Sequence, residues 1–166
     1  MALRSAHNSG ITIAGANVER VEKFVKACAR PGAGFVQCPE MHRGGGQMFY
    51  PTSAGLRVMF GTGRGGAKEV EDGLKLLLTK RLGQDYEGKI SEWDYCGGFF
   101  AVQALLHENG AAWRKWYPQL RDHLLRIQNA DGSWTIEYCL CCRAYATALA
   151  LLILQAPARL LPIFQL

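Results

Sequence analysis

The chain has 166 residues, of which 49% are hydrophobic and 20% charged, proportions that suit one folded domain with an apolar core rather than a disordered segment. Its formal net charge is +5, but acidic and basic residues are interspersed along the helical patterns, which argues against a nucleic-acid-binding protein. The longest apolar run is far shorter than a membrane span, and residues 1–10 lack the pattern of a secretory signal.

Two kinds of helical pattern alternate along the chain. The first kind has apolar residues at helical spacing with charges between them, which is typical of a helix with one buried side. The second kind is apolar or small nearly all round, so it predicts a helix buried on every side. In chain order the patterns cover residues 18–28, 53–60, 70–78, 97–106, 113–127 and 144–154.

The patterns keep a constant spacing, which indicates an internal repeat. Ser53, Phe100 and Thr147 lie 47 residues apart, and Leu77 and Leu124 are separated by the same distance. Each repeat therefore contains one helix buried all round and one amphipathic helix. Such pairs build either an open solenoid of the HEAT type or a closed double ring of helices, and the spacing alone does not choose between them.

A motif at the end of the fifth pattern favours the ring. Its residues are Leu124, Leu125, Gln128, Gly132 and Trp134. They resemble the QW-type motif of the prenyltransferase and squalene-oxidase repeat, from which terpenoid cyclases and protein prenyltransferase β subunits build α/α toroids. In physical terms the motif is a clamp at a helix end. The Gln bonds backbone groups, the Gly permits a tight turn, and the Trp covers the turn while its N–H needs an acceptor.

The resemblance extends to segments 21–35, 99–122 and 145–166, which are similar to bacterial members of the family. It implies an all-α fold, a partial α/α toroid of about three helix hairpins with inner and outer helices, in a single domain over residues 1–166. Three hairpins are too few to close the family's ring. The chain is therefore expected to be the C-terminal part of a longer protein, and its open end is expected to be covered either by residues missing upstream or by a protein partner or self-association.

The resemblance also suggests a zinc site. Protein prenyltransferase β subunits bind zinc through an Asp-x-Cys at the start of one inner helix and a His at the start of a later one. Asp94 and Cys96 reproduce the Asp-x-Cys, but the helix one repeat later opens with Cys139, Cys141 and Cys142 and has no His. Zinc binding by Asp94, Cys96 and Cys142, a disulfide among the later cysteines, reactive thiols and plain core packing all stay open, so no metal or cofactor is assigned.

Other catalytic motifs of related enzymes are missing. Squalene-hopene cyclases protonate their substrate with an Asp-x-Asp-Asp acid, whereas this chain has no two adjacent aspartates and no Asp-rich magnesium motif. Gly61, Gly63 and Gly66 fit the dinucleotide pattern G-x-G-x-x-G after the strand-like residues 57–60. However, the surrounding patterns are helical, which favours a turn between helices.

The inner aromatics Tyr95, Phe99 and Tyr145 are predicted to line a cavity for an isoprenoid, by analogy with the family. The predicted function is therefore a binding or scaffold module for an apolar, isoprenoid-like ligand or a protein partner. The alternative is a zinc-dependent or divergent prenyltransferase or terpenoid cyclase with missing residues upstream. Cys28 and Cys96 fall in helical patterns where cysteine acts as a small hydrophobe, which favours a reducing compartment and a cytoplasmic location.

Overall fold

A computed structural model describes residues 2–41, 49–80, 90–108, 110–136 and 142–164. Within these ranges the chain is mostly helical, which confirms the prediction of a helical fold. The helices are α1 (Ala2–Asn8), α2 (Gly15–Cys28), α3 (Phe49–Gly61), α4 (Lys68–Thr79), α5 (Glu92–Glu108), α6 (Ala111–Arg126) and α7 (Arg143–Gln155). Short 3-10 helices follow α7 at Ala156–Ala158 and Pro162–Phe164. None of the helices in these ranges is long and apolar enough to cross a bilayer.

The helices pack in two groups. Helices α3, α5 and α7 pack against one another in chain order, and we call them the inner layer. Helices α2 and α4 lie against α3, and α6 lies against both α5 and α7, and we call these three the outer layer. The arrangement of these pairs as a segment of a closed ring stays a prediction.

Two of the inner helices are buried along most of their length. In α3 every residue except Gly61, at its end, is buried or half-buried, and in α5 the whole stretch 101–106 is buried. Because their side chains are apolar or small all round, each helix can pack against a neighbour on each flank and against the outer layer. The amphipathic α4 instead buries Val70, Gly73 and Leu77 along one stripe.

Helix α7 differs from the prediction of complete burial. Its residues Ala146, Leu149 and Ile153 are buried against the rest of the fold, but Ala148 and Leu151 on the opposite side are exposed. The apolar pattern was misleading because burial also requires a neighbouring element, and on this side the described residues provide none.

A small β-hairpin follows α2, between the first two of the predicted helical patterns. Strands β1 (Ala29–Arg30) and β2 (Gly34–Phe35) pair antiparallel. The backbone N–H of Phe35 donates to Thr52 Oγ1 on α3 (3.0 Å). The Phe35 ring fills space that two glycines leave on neighbouring helices, since a Cβ on Gly55 would lie 2.6 Å from the ring and one on Gly73 would lie 3.3 Å from it. The hairpin thereby wedges a large ring between α3 and α4.

Hydrogen bonds from side chains and backbone hold the turn after α6. The buried indole of Trp134 donates from Nε1 to the carbonyl of Leu124 in the last turns of α6 (2.8 Å). The amide of Gln128 donates to the carbonyl of Gly132 (2.8 Å), and Gly132 has a φ of 82°, where a residue without a Cβ is favoured. The backbone N–H of Trp134 also donates to Thr147 Oγ1 on α7 (3.0 Å), so the turn joins an outer helix to an inner one.

Candidate functional site

Helix α5 begins one turn earlier than its apolar pattern because a capping box starts it. The Asp94 carboxylate accepts hydrogen bonds from the backbone N–H (2.9 Å) and the hydroxyl (2.8 Å) of Ser91, and Ser91 Oγ accepts from the N–H of Asp94 (3.2 Å). Both side chains are buried. The box satisfies N–H groups that a helix start leaves unpaired. It also places Trp93 and Cys96 within the helix.

A close approach between α3 and α5 brings their aromatic rings together. A Cβ on Gly97 would lie 2.6 Å from the Phe49 ring and 3.2 Å from the Cα of Tyr50, so only a glycine permits this spacing. As a result the Tyr50 ring centroid lies 5.0 Å from that of Trp93 and 6.1 Å from that of Phe100. These separations are within the range in which tilted aromatic pairs attract.

Three inner helices contribute to one accessible apolar surface, which we call the aromatic face. It consists of Tyr50, Trp93, Cys96, Phe100 and Tyr145. Trp93 is 37% exposed and Tyr145 is 44% exposed, while the other three side chains are half-buried. Large aromatic rings are more often buried than this, so a group of them with open surface is a candidate site for an apolar ligand.

On the aromatic face the Tyr145 hydroxyl lies beside the Cys96 thiol. Burial, with a smaller contribution from Cys96, raises the pKa of Tyr145 to about 12. Burial also raises the pKa of the Cys96 thiol, and the neighbouring Tyr145 hydroxyl only partly offsets this rise. Both groups are therefore neutral at pH 7, and Cys96 is a poor nucleophile because thiolate is the reactive form.

The structure places the three predicted ligand-binding residues in different environments. Tyr95 is 0% exposed, and its hydroxyl donates to the carbonyl of Thr135 (3.3 Å), so this residue lies in the core, away from any accessible surface. Phe99 is also buried, with its ring edge-on to that of Phe164 at 6.2 Å. Tyr145 lies on the aromatic face, and its contact with a ligand stays a prediction.

Sequence reasoning missed Tyr50, Trp93 and Phe100. On α5 the accessible residues Trp93, Cys96 and Phe100 follow a spacing of three and four, which is one side of a helix. The predicted Tyr95 and Phe99 lie on the neighbouring side, which is buried near Thr135 and Phe164. An apolar helix buried nearly all round shows no polar stripe to mark its open side, so the pattern contained no signal for choosing between these two sets.

The described residues provide no complete zinc site. The Asp94 carboxylate is engaged by the capping box, and Cys142 is disulfide-bonded, whereas Cys96 is a free thiol. Across the ranges that the structure describes, no three His, Cys, Asp or Glu side chains lie close enough to hold a metal ion. Cys139 and Cys141, which were candidates for zinc binding, a disulfide or reactive thiols, lie outside the described residues.

The glycine-rich segment after α3 lacks the context of a dinucleotide site. Residues 57–60, predicted to be strand-like, form the last full turn of α3, and Gly61 ends that helix. Gly63, with a φ of 78°, and Gly66 then lie in the short connection to α4. A dinucleotide fingerprint needs a strand before the glycines. The three glycines therefore serve the turn between two helices.

No known family, curated protein or solved structure matches the chain. The likeness of residues 121–134 to the prenyltransferase and squalene-oxidase repeat thus stays a prediction based on the motif itself. In the structure Trp134 bonds the carbonyl of Leu124 at the end of α6, whereas Gln128 bonds the carbonyl of Gly132 within the turn.

A concavity of about 310 Å³ lies between the end of α4 and α6. Its described lining residues are Lys80, Trp116, Gln119, Leu120, Asp122, His123 and Arg126. Arg126 Nη2 donates to His123 Nδ1 (2.7 Å), and His123 Nε2 is buried without a partner. Burial and the nearby Arg126 charge lower the pKa of His123. Because the buried Nε2 atom is closed to solvent, we assign no ligand to this concavity.

Proposed function

We propose that the chain is a helical-repeat binding module whose aromatic face holds an apolar, isoprenoid-like ligand. The observation that carries the proposal is the aromatic face itself, where rings from α3, α5 and α7 retain open surface. Trp93 and Tyr145 together offer two large apolar rings, and aromatic surfaces of this kind contribute strongly to binding.

The chemistry of the aromatic face favours an uncharged ligand body. Its five side chains are Tyr50, Trp93, Cys96, Phe100 and Tyr145, and none carries a charge at pH 7. Because the pKa values of Tyr50, Cys96 and Tyr145 are raised, these three side chains remain protonated at pH 7. A hydrocarbon chain would gain free energy from leaving water there, at about 25 cal/mol for each Å² buried.

Binding without catalysis is favoured by what the aromatic face contains. A reaction at this surface would need an activated nucleophile, a general acid or a metal ion. The Cys96 thiol is protonated at neutral pH, and the Asp94 carboxylate serves the helix cap. The enzyme hypothesis therefore depends on groups beyond the residues that the structure describes.

Farnesol is a suitable probe because it is an uncharged isoprenoid, and alkylation of Cys96 reports on its position. We expect farnesol to slow the reaction of Cys96 with iodoacetamide, measured by peptide mass spectrometry. Cys38, a free thiol near the hairpin, provides an internal reference whose reaction rate stays unchanged. Slowing of both thiols, or of neither, would contradict binding at the aromatic face.

Calorimetric titration with farnesol tests the same site without relying on a thiol. Trp93→Ala is expected to weaken binding about tenfold, since one aromatic contact contributes about 1.4 kcal/mol. Trp113→Ala on α6 is the matched control, because Trp113 stacks on Tyr117 away from the aromatic face and its loss leaves the affinity unchanged. Equal affinities for the protein and its Trp93→Ala variant would place the ligand elsewhere.

Metal analysis separates this proposal from the enzyme hypothesis. We expect purified protein to contain no stoichiometric zinc. Zinc that is present at one equivalent and is lost in both Asp94→Ala and Cys96→Ser variants would instead support a prenyltransferase-like site.

A further inference from the structure

Two free cysteines flank the β-hairpin. Cys28 is the last residue of α2, directly before β1, and Cys38 lies shortly after β2. The backbone N–H of Val36 donates to the carbonyl of Cys28 (3.0 Å), so the chain stays alongside α2 after β2 ends. Residues 37–38 then bend, and the N–H of Met41 donates to the carbonyl of Cys38 (3.1 Å). Cys38 therefore follows the backbone partner of Cys28 by only two residues.

The Arg30 guanidinium holds the two cysteine-bearing segments side by side. Its four acceptors are the backbone carbonyl oxygens of Ala27 (3.0 Å), Ala29 (2.9 Å), Pro39 (2.7 Å) and Met41 (3.1 Å). The first two acceptors belong to the residues on either side of Cys28, and the other two belong to the turn that follows Cys38. Because one compact, planar group bonds both pairs, the backbone around Cys28 lies beside the backbone around Cys38.

The two thiols differ in their access to solvent. Cys28 is 4% exposed, whereas Cys38 is half-buried, so a reagent in solution reaches Cys38 first. Burial raises the pKa of the Cys28 thiol, the positive charge of Arg30 opposes this rise, and the neighbouring Cys38 and Glu40 add to it. Cys28 is therefore a shielded thiol whose surroundings include Cys38.

We propose that Cys28 and Cys38 form a reversible disulfide, with a small-molecule disulfide of the glutathione type as the oxidant. The Cys38 thiolate attacks one sulfur of the oxidant, whose S–S bond breaks and releases the first small thiol. The Cys28 thiolate then attacks the Cys38 sulfur, and the bond of the mixed disulfide breaks and releases the second small thiol. Two electrons pass from the two cysteines to the oxidant, and their two protons end on the released thiols.

The disulfide closes a loop that contains the whole hairpin, including the Phe35 ring between α3 and α4. Each strand has only two residues, so few ladder hydrogen bonds hold the hairpin in the reduced protein. A cross-link restricts the unfolded chain and thereby stabilises the folded one. The cysteine pair thus makes the stability of the hairpin depend on the thiol–disulfide balance of its surroundings, independently of ligand binding at the aromatic face.

Glutathione disulfide added to the folded protein tests the proposal on the unaltered chain. Trypsin releases residues 27–43 as one peptide, because the bond between Arg30 and Pro31 resists cleavage. Mass spectrometry therefore detects the disulfide as the loss of two hydrogens from this peptide. We expect most of the peptide to lose two hydrogens, while Cys96 stays a thiol that iodoacetamide alkylates. Oxidation is also expected to raise the midpoint of thermal unfolding by several degrees.

Cys28→Ser and Cys38→Ser are a matched pair that separates the two steps. In Cys28→Ser, Cys38 is expected to retain glutathione as a mixed disulfide, since no second thiol displaces it. In Cys38→Ser, the buried Cys28 is expected to react at least tenfold more slowly than Cys38 does in the other variant. Two results on the unaltered chain would overturn the proposal. One is a lasting glutathione adduct on Cys38 without the loss of two hydrogens, and the other is a peptide that stays fully reduced.

Discussion

At the scale of single residues, Trp134 shows how one side chain stabilises a helix end. Its ring is buried under the last turns of α6, and its indole N–H satisfies the carbonyl of Leu124. Carbonyls at a helix end have no partner within the helix, and a buried one without a hydrogen bond is costly. The indole combines apolar coverage with a donor, whereas a phenyl ring provides the coverage alone.

Trp134→Phe is therefore expected to destabilise the protein by about 1–3 kcal/mol, since it leaves the buried Leu124 carbonyl without its donor. Urea unfolding followed by circular dichroism measures this as a lower midpoint with an unchanged slope. Trp113→Phe is the control, because a phenyl ring can keep the stacking on Tyr117. Equal midpoints for the two variants would show that the indole N–H contributes nothing to stability.

At the scale of elements, α3 and α5 are held together by one close approach and one buried polar contact. Gly97 allows the helices to meet at their N-terminal ends. Farther along, the Nε–H of Arg57 donates to Gln103 Oε1 (3.1 Å), and the amide of Gln103 donates to the carbonyl of Phe99 (3.1 Å). These polar groups fix which residues of the two helices lie side by side, because a shift along the axis would break them.

Gly97→Ala tests the close approach, and Gly15→Ala provides the matched control. A methyl group at position 97 would lie 2.6 Å from the Phe49 ring, so the two helices must separate at an expected cost of about 1–3 kcal/mol. At Gly15, the first residue of α2, a Cβ would meet nothing within 4 Å, and alanine is expected to stabilise the protein by about 0.5 kcal/mol. Thermal unfolding of both variants compares them. An unaltered midpoint for Gly97→Ala would contradict the close approach.

Helix positions could be predicted from the sequence, but their neighbours could not. Six apolar patterns correspond to α2 through α7, because the spacing of buried residues is a local property of each helix. The exposed side of α7 and the β-hairpin before α3 both depend on which elements pack together. The two strands of the hairpin have two residues each, too few to show an alternating pattern.

The candidate site was predicted less completely than the helices. Tyr145 was named, but Tyr95 lies in the core, and Trp93 and Phe100 were missed. Position on an inner helix decides whether a ring is buried or accessible, and a rotation of about 100° per residue separates Tyr95 from its neighbour Cys96. A sequence pattern that is apolar on every side does not show which side of the helix remains accessible.

At the scale of the whole molecule, α5 is the centre of the fold. It packs against α3, α6 and α7 and against both 3-10 helices that follow α7. In contrast, the described side chains of α1 are exposed except for the half-buried Ala6. Local opening is least favourable where most contacts must be broken, so stability is expected to fall from α5 toward the N-terminus.

Hydrogen exchange followed by mass spectrometry tests this gradient. Amides of residues 101–106 are expected to exchange slowest, at a rate set by global unfolding, and those of α1 fastest. Slower exchange in α1 than in α5 would contradict the central position of α5.

The position of the Phe35 ring has a consequence for how the α3–α4 helix pair could be moved to another protein. One phenyl ring occupies room that Gly55 and Gly73 leave vacant on separate helices. The α3–α4 helix pair, moved without the β-hairpin that precedes it, would therefore contain a void about the size of a benzene molecule. Such a void favours local collapse or the binding of a small apolar molecule. Loop and helices must accordingly be inherited, or engineered, as a single unit.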